Sequence, residues 1–179
     1  CFVLPVEDDM QAIMKSLSDT VMIQKYGGGV GLDFSPIRPE GSKVSSTNGL
    51  ASGAVSFMSL WNTAMDVVKQ GGKRQGALMG VLSVHHKDLY SFLKSKEVEG
   101  KLTNFNISVA LDDEFFNDLE RKKVYASGYT AHQILDDIAY STWRNGEPGI
   151  LFLDNINNNS PYAEKISATN PCGEQPLPP

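Results

Sequence analysis

Five consecutive residues, Asn170, Pro171, Cys172, Gly173 and Glu174, concentrate more chemistry than any other stretch of the chain. In an extended segment, side chains two apart project to the same side. Asn170, Cys172 and Glu174 would then present an amide, a thiol and a carboxylate together. A thiol so placed can react with a substrate while the carboxylate moves a proton. The same residues also suit a structural cysteine in a Pro/Gly turn, and the residues alone leave both readings open. The second cysteine is Cys1, at the other end of the chain. Two cysteines so far apart are no disulfide framework of the secreted kind, so free or redox-active thiols in a reducing, cytoplasmic setting are expected.

A second cluster is Gln70, Gly71, Gly72, Lys73, Arg74, Gln75 and Gly76, with three glycines and two cations in seven residues. Glycines admit close approach of backbone to ligand, and Lys73 with Arg74 offers charge and planar donors for phosphates or base edges. An exposed basic turn has the same composition. The run Gly27, Gly28, Gly29, Val30, Gly31 lacks the phosphate-loop pattern and follows a helix, so it reads as a helix end and tight turn. His85, His86 and His132 have no partners at metal-ligand spacing, so no metal site is expected.

Alternating strands and helices must position these groups. Residues 1–6 read as a strand with Pro5 near its end, and Glu7, Asp8 and Asp9 as a helix start. Met10, Ile13, Met14, Leu17 and Val21 recur at helical spacing and form the expected inward face. Residues 35–53, rich in Pro, Gly, Ser, Thr and Asn, read as a long loop, of a length that is uncommon in compact domains and often functional. A helix over residues 54–69 carries Phe57, Trp61, Ala64, Met65 and Val68 on one face. Strands follow at 78–84, 104–111 and 149–153. Helices are expected at 86–96, from Asp112 onward with Phe115, Phe116 and Leu119, and at 130–145 with Ile134, Leu135, Ile138 and Trp143 inward. Residues 155–160 read as an Asn-rich loop. The pattern is α/β with parallel pairing, in strands apolar enough to be covered on both faces. Barrel and doubly wound sheet remain equally compatible with it.

At 179 residues the chain fits one domain, with no internal repeat and no linker. A net charge of −5 with scattered Lys and Arg argues against nucleic-acid binding. The absence of a long apolar run argues against a membrane span. The start at Cys1 and the apolar finish Pro176, Leu177, Pro178, Pro179 suggest a segment of a longer polypeptide.

Several segments, in order, resemble the large subunit of ribonucleotide reductases. They are Cys1-Phe2-Val3-Leu4-Pro5-Val6-Glu7-Asp8, Gly27-Gly28-Gly29-Val30-Gly31, Ser45-Ser46-Thr47, Gln70-Gly71-Gly72-Lys73-Arg74-Gln75-Gly76-Ala77, Leu102-Thr103-Asn104-Phe105-Asn106-Ile107-Ser108-Val109, and Asn170-Pro171-Cys172-Gly173-Glu174-Gln175-Pro176-Leu177-Pro178. The resemblance implies the first half of a ten-stranded α/β barrel, as in glycyl-radical enzymes, with residues 1–179 part of one catalytic barrel domain up to its central finger loop. It implies that Cys172 becomes the thiyl radical that abstracts the ribose 3′ hydrogen. Glu174 would take the 3′-hydroxyl proton, Asn170 would hold the substrate, and Cys1 would be one of two reducing thiols. The partner of Cys1 lies beyond Pro179 in the family pattern, so this segment by itself should not turn over. Asp8, the loop with Ser42, Lys43, Ser45 and Ser46, and the loop with Gln70, Lys73 and Arg74 match positions that read a deoxynucleoside triphosphate effector. The Phe-Val-Leu-Pro-Val-Glu-Asp start and the Pro-Cys-Gly-Glu-Gln-Pro-Leu-Pro ending look like the adenosylcobalamin-dependent class. The implied partners are a ribonucleoside di- or triphosphate, the effector, a thioredoxin-like reductant and a second copy of the chain. The oxygen-dependent class with a separate metal-radical subunit, and a nucleotide-binding module without catalysis, are the alternatives.

Overall fold

The computed structural model describes residues 1–45, 48–68, 76–98 and 100–179. Its centre is a sheet of five parallel strands: β1 (Phe2–Leu4), β2 (Val30–Asp33), β5 (Leu78–Ser83), β6 (Phe105–Leu111) and β7 (Gly149–Phe152), side by side in that order. Between them run α1 (Met10–Lys25), the hairpin β3 (Lys43–Val44) and β4 (Gly49–Leu50), α2 (Ala54–Val67), α3 (Leu89–Leu93), α4 (Asp113–Asp118) and α5 (Ala131–Asn145). The chain closes with α6 (Leu153–Asn158) and an antiparallel hairpin of β8 (Ala168–Thr169) and β9 (Pro176–Leu177).

Strand alternation divides the sheet into two faces. Val30, Leu32, Leu78, Leu82, Phe105, Ile107, Val109 and Leu111 join one large apolar cluster with buried residues of α1 to α5. Val3, Met79, Val81, Ala110 and Leu151 join a smaller cluster with Ala168 of β8. Helices α1 to α5 thus cover one face and the terminal hairpin covers the other. Each strand lies beside the next one in the chain, with no reversal of order. That is a singly wound sheet of barrel type, not a doubly wound one, which decides the choice the sequence left open.

Local chemistry explains most of the elements. Asp9 caps α1 by accepting from the backbone N–H groups of Gln11 and Ala12 at 2.9 and 3.1 Å. Thr130 and Gln133 form a capping box at the start of α5, and Gly146 ends that helix with a φ of 84°. Two expected faces are corrected. Met10 and Met14 are exposed, while Ile13 is buried as expected and Ser16, Thr20 and Gln24 are buried beside it. Thr20 and the Gln24 amide nitrogen find partners there, while Ser16 Oγ and Gln24 Oε1 are buried without one. The Trp61 indole N–H donates to Thr20 Oγ1 at 3.1 Å, Thr20 Oγ1 donates to the Ser16 carbonyl at 2.8 Å, and Gln24 Nε2 donates to the Ala77 carbonyl at 2.7 Å. Trp143 is 80% exposed and lies beside Tyr140, while Ile134 and Ile138 of the same helix are buried as expected.

Two expected loops carry structure. Residues 35–53 contain the β3–β4 hairpin. The Asn-rich stretch forms most of α6, because Asn157 Nδ2 bonds the carbonyls of Leu153 and Ile166 and Asn157 Oδ1 accepts from the Ile166 N–H. No helix of the described residues is long and apolar enough to cross a membrane.

Two outcomes test this packing. Replacing Thr20 by Val leaves the buried Trp61 N–H without an acceptor, which costs about 1–3 kcal/mol. Thr20→Ser keeps the hydroxyl and should cost less, although Val is the more apolar residue. Thermal unfolding of the two variants checks the order. A Cβ on Gly31 would overlap the backbone carbonyl oxygen of Thr169, so Gly31→Ala should cost about 3 kcal/mol or more by overpacking. Gly100 meets nothing within 4 Å, so Gly100→Ala should cost only the backbone strain of its positive φ, about 1–2 kcal/mol. Urea unfolding midpoints report both.

Candidate active site on the terminal hairpin

The hairpin that carries Cys172 is held by its own backbone and by the sheet beneath it. Ala168 pairs with Leu177 and Thr169 with Pro176. Beyond that pair, the Asn170 N–H donates to the Gln175 carbonyl at 3.1 Å and the Gly173 N–H donates to the Asn170 carbonyl at 3.0 Å. The turn closes at Gly173, whose φ of 83° suits glycine. Residues 170–174 are therefore a tight turn and not the extended segment that would place three side chains on one face. The turn nevertheless brings the amide and the carboxylate together. Asn170 Nδ2 donates to Glu174 Oε1 at 2.8 Å, and the Gln175 N–H donates to Asn170 Oδ1 at 2.9 Å. The second contact fixes which end of the Asn170 amide accepts, leaving Nδ2 to donate.

Asn170 is fully buried, and Cys172 and Glu174 are exposed at the tip. The tip is anchored from below, where Asn106 Nδ2 donates to the Pro171 carbonyl at 2.7 Å. Met79, Asn106, Ser108, Pro171, Cys172 and Gly173 line one side of a cleft of about 350 Å³ that reaches to Glu147 and Gly149. Clefts of this size take small organic ligands. Asn106 and Ser108 are the polar residues of β6 that face the hairpin. Sequence reasoning placed them on a strand but gave them no role, since a strand's polar positions carry no mark of which face meets a ligand.

Cys1 comes to the same place. A Cβ built on Gly29 would lie 3.4 Å from Cys1 Sγ and 2.6 Å from Pro171 Cγ. Only the missing side chain of Gly29 lets the Cys1 thiol and the Cys172 turn approach so closely. The parallel register of β1 with β2, which sets Phe2 opposite Val30, brings this about. Asp33, at the end of β2, lies beside Ser167, just before β8. Burial pushes its carboxyl up, opposed by hydrogen bonds from Ser35 and Ser167.

Of the second group of expected site residues, Asp8 and Ser45 line one cleft of about 500 Å³ together with Val44, Leu50, Ala51 and Phe57. Arg38 lines it too, and sequence reasoning missed it. Its Nε donates to Asp8 Oδ2 at 2.7 Å and its backbone N–H to Asp8 Oδ1 at 3.2 Å. A lone arginine thirty positions away carries no sequence signal of that pairing. Ser42 belongs to the hairpin stem, where its carbonyl accepts from the Ala51 N–H at 2.8 Å, and Lys43 is exposed on β3. Neither lines the cleft. Ser46, Gln70, Lys73 and Arg74 lie outside the described residues.

The sequence profile described as the ribonucleotide reductase barrel domain matches residues 1–127 and 117–179. Vitamin B12-dependent ribonucleoside-diphosphate reductases from Thermoplasma acidophilum and Mycobacterium tuberculosis are 46% and 42% identical to the chain, each over 99% of it. The chain spans only 25% and 28% of the length of those two relatives. Among solved structures, the class Id ribonucleotide reductase alpha subunit of Actinobacillus ureae superposes with a TM-score of 0.83, over 98% of this chain and 32% of that one, at 24% identity. That likeness shows the fold. A profile matched from one end to the other, and two relatives at more than 40% identity, place this chain in the ribonucleotide reductase barrel-domain family.

Proposed function

We propose that the protein containing this segment reduces ribonucleotides to 2′-deoxyribonucleotides, with Cys172 as the thiol that carries the radical. The observation that carries the reading is the hairpin tip, where an exposed thiol belongs to the same turn that brings an amide within 2.8 Å of a carboxylate, with a second thiol near Pro171 of that turn. Residues 1–179 form the first half of a ten-stranded barrel in this reading, and the terminal hairpin is the rising arm of its central finger loop.

The roles follow the chemistry of each group. The Cys172 thiyl takes a hydrogen atom from ribose C3′, forming S–H as C3′–H breaks. Glu174 accepts the 3′-hydroxyl proton, which eases departure of the 2′-hydroxyl as water. Two thiols, Cys1 and a partner outside this segment, supply two electrons and close to a disulfide, and Cys172 returns its hydrogen to C3′. Asn170 Nδ2, which bonds Glu174 here, is placed to donate to a substrate oxygen instead. A thioredoxin-like dithiol then reopens the disulfide.

Cys172 is open to solvent and not sealed beneath the hairpin, which fits a thiol that must be oxidised by a group held elsewhere. The names of the two relatives point to adenosylcobalamin as that group. When bound, adenosylcobalamin supplies the one-electron oxidation that makes Cys172 a radical. The exposed Cys172 tip is what this segment offers it, and the fold keeps the remaining residues of the site ordered around that tip.

The cleft lined by Asp8, Arg38 and Ser45 is the effector site in this reading, with deoxynucleoside triphosphates as ligands. Ser42, Lys43 and Ser46 belong to its first loop and Gln70, Lys73 and Arg74 to its second. Substrates are ribonucleoside di- or triphosphates, and the working form is a homodimer. Effector and substrate should each tighten the other's binding by the same factor.

In the intact protein, Cys172→Ser should abolish deoxyribonucleotide formation while leaving deoxynucleoside triphosphate binding unchanged. Glu174→Gln should lower kcat by about 10²–10⁴-fold, the usual share of general acid–base catalysis. Anaerobic turnover and equilibrium binding measure the two effects. Residual turnover in the serine variant would remove the radical role from Cys172.

A further inference from the structure

Asp88 occupies the N-cap position of α3 yet caps a different helix. Its carboxylate makes no capping bond within α3. Instead it accepts from the Glu40 N–H at 3.0 and 3.2 Å through both oxygens, and from the Ala54 N–H at 3.0 Å through Oδ2. Glu40 and Ala54 bracket the loop that contains the β3–β4 hairpin. One carboxylate therefore ties together the two ends of that loop. Ala54 is the first residue of α2, whose own N-cap position is Gly53 and supplies no side-chain acceptor. A negative charge there also meets the positive end of the α2 dipole.

The clamp is built in and held. Asp88 is only 8% exposed. Its backbone N–H donates to His86 Nδ1 at 3.0 Å, and His86 Nε2 donates to the Ile37 carbonyl at 2.7 Å. These contacts assign the Nε2–H tautomer to His86 and fasten the turn of residues 86–88 to the start of the same loop. Gly53 completes the fit. A Cβ there would lie 2.6 Å from Asp88 Oδ2 and 2.9 Å from the Glu40 Cβ and backbone nitrogen, and its φ is 83°. Between the clamped ends, the Gly41 N–H donates to the Ala51 carbonyl and the Ala51 N–H to the Ser42 carbonyl. Ala51, Ser52 and Phe57, which flank the clamp, line the cleft of Asp8 and Arg38.

We propose that Asp88, oriented by His86, is a positioning residue that sets the effector-reading loop, so that nucleotide response depends on a carboxylate outside the nucleotide cleft. The proposal rests on the reading of that cleft as an effector site. A buried carboxylate that accepts three bonds from two distant N–H groups fixes a geometry that a loop rich in Gly and Ser would not hold unaided. An amide side chain replaces one acceptor oxygen by an NH2 group and carries no charge, so Asp88→Asn removes one of the three bonds and the charge that strengthens the other two.

The test is Asp88→Asn in the intact protein, titrated with dATP, dGTP and dTTP in turn. Turnover without nucleotide and the nucleotide concentration for half-maximal response are read together. The expected result is effector-free turnover within about twofold of the unmodified protein and a rise of about tenfold in the half-maximal concentration, inside the usual range of coupling. Hydrogen exchange should show the Glu40 and Ala54 amides less protected than in the unmodified protein, with the protection of the β5 and β6 amides unchanged. An unchanged nucleotide response, or an equal loss of turnover with and without nucleotide, overturns the proposal. So does continued protection of both amides. If the unmodified protein binds none of the three nucleotides, the effector reading fails, and this inference with it. Should the Asn variant not fold, Asp88→Glu keeps both oxygens but displaces them by one methylene, and the same two readings decide.

Discussion

The terminal hairpin can lie on the sheet only because glycines stand at positions 29 and 31 beneath it. Gly31 meets the carbonyl oxygen of Thr169 at a separation that leaves no room for a Cβ, and Gly29 meets the ring of Pro171. Everything that makes the site a site follows from that approach. It buries Thr169 and Asn170 and brings the Pro171 carbonyl within reach of Asn106. It also leaves Cys172 at the tip of a turn whose Pro171 shares the space above Gly29 with Cys1. The rest of the sheet serves the same end. Its helix-covered face holds the large apolar core that keeps β2 and β6 fixed, so the hairpin rests on a rigid platform.

The glycine run shows how a signal can be legible while its purpose is not. In the sequence, Gly27 to Gly31 reads as the end of α1 and a turn, and Gly27 does end that helix with a φ of 90°. Gly29 and Gly31 act otherwise, as gaps that let a distant segment approach. Contact with residues 169–171 leaves no trace in local periodicity. The same limit explains α1. Its Met residues have the right spacing for an inward face, yet Thr20 and Gln24 turn inward, where Trp61 and the Ala77 carbonyl pair with them. Periodicity weighs hydrophobicity and cannot weigh a hydrogen bond to a residue forty positions away.

Elsewhere the chain states its fold openly. The alternation of strands and helices, the Asp9 and Thr130 caps and the apolar strands of residues 78–83 and 105–111 stand where their residue types put them. The candidate site was legible as a motif, since Asn170, Cys172 and Glu174 carry its chemistry in five residues. Their joint geometry was not, because a turn at Gly173 and not an extended strand brings amide to carboxylate. Arg38 and Asp88 were invisible for a common reason. Each is an isolated charged residue whose partner, Asp8 or the N–H groups of Glu40 and Ala54, lies some thirty to fifty positions away.

The most direct measurement is anaerobic ribonucleotide reduction by the intact protein, with a dithiol as reductant and with or without adenosylcobalamin. Deoxyribonucleotide formed only in the presence of adenosylcobalamin is the predicted result. Activity restored instead by a separate metal-radical subunit would overturn the cofactor while leaving the residue roles in place. No reduction under either condition would contradict the assignment of Cys172 as the radical-bearing thiol.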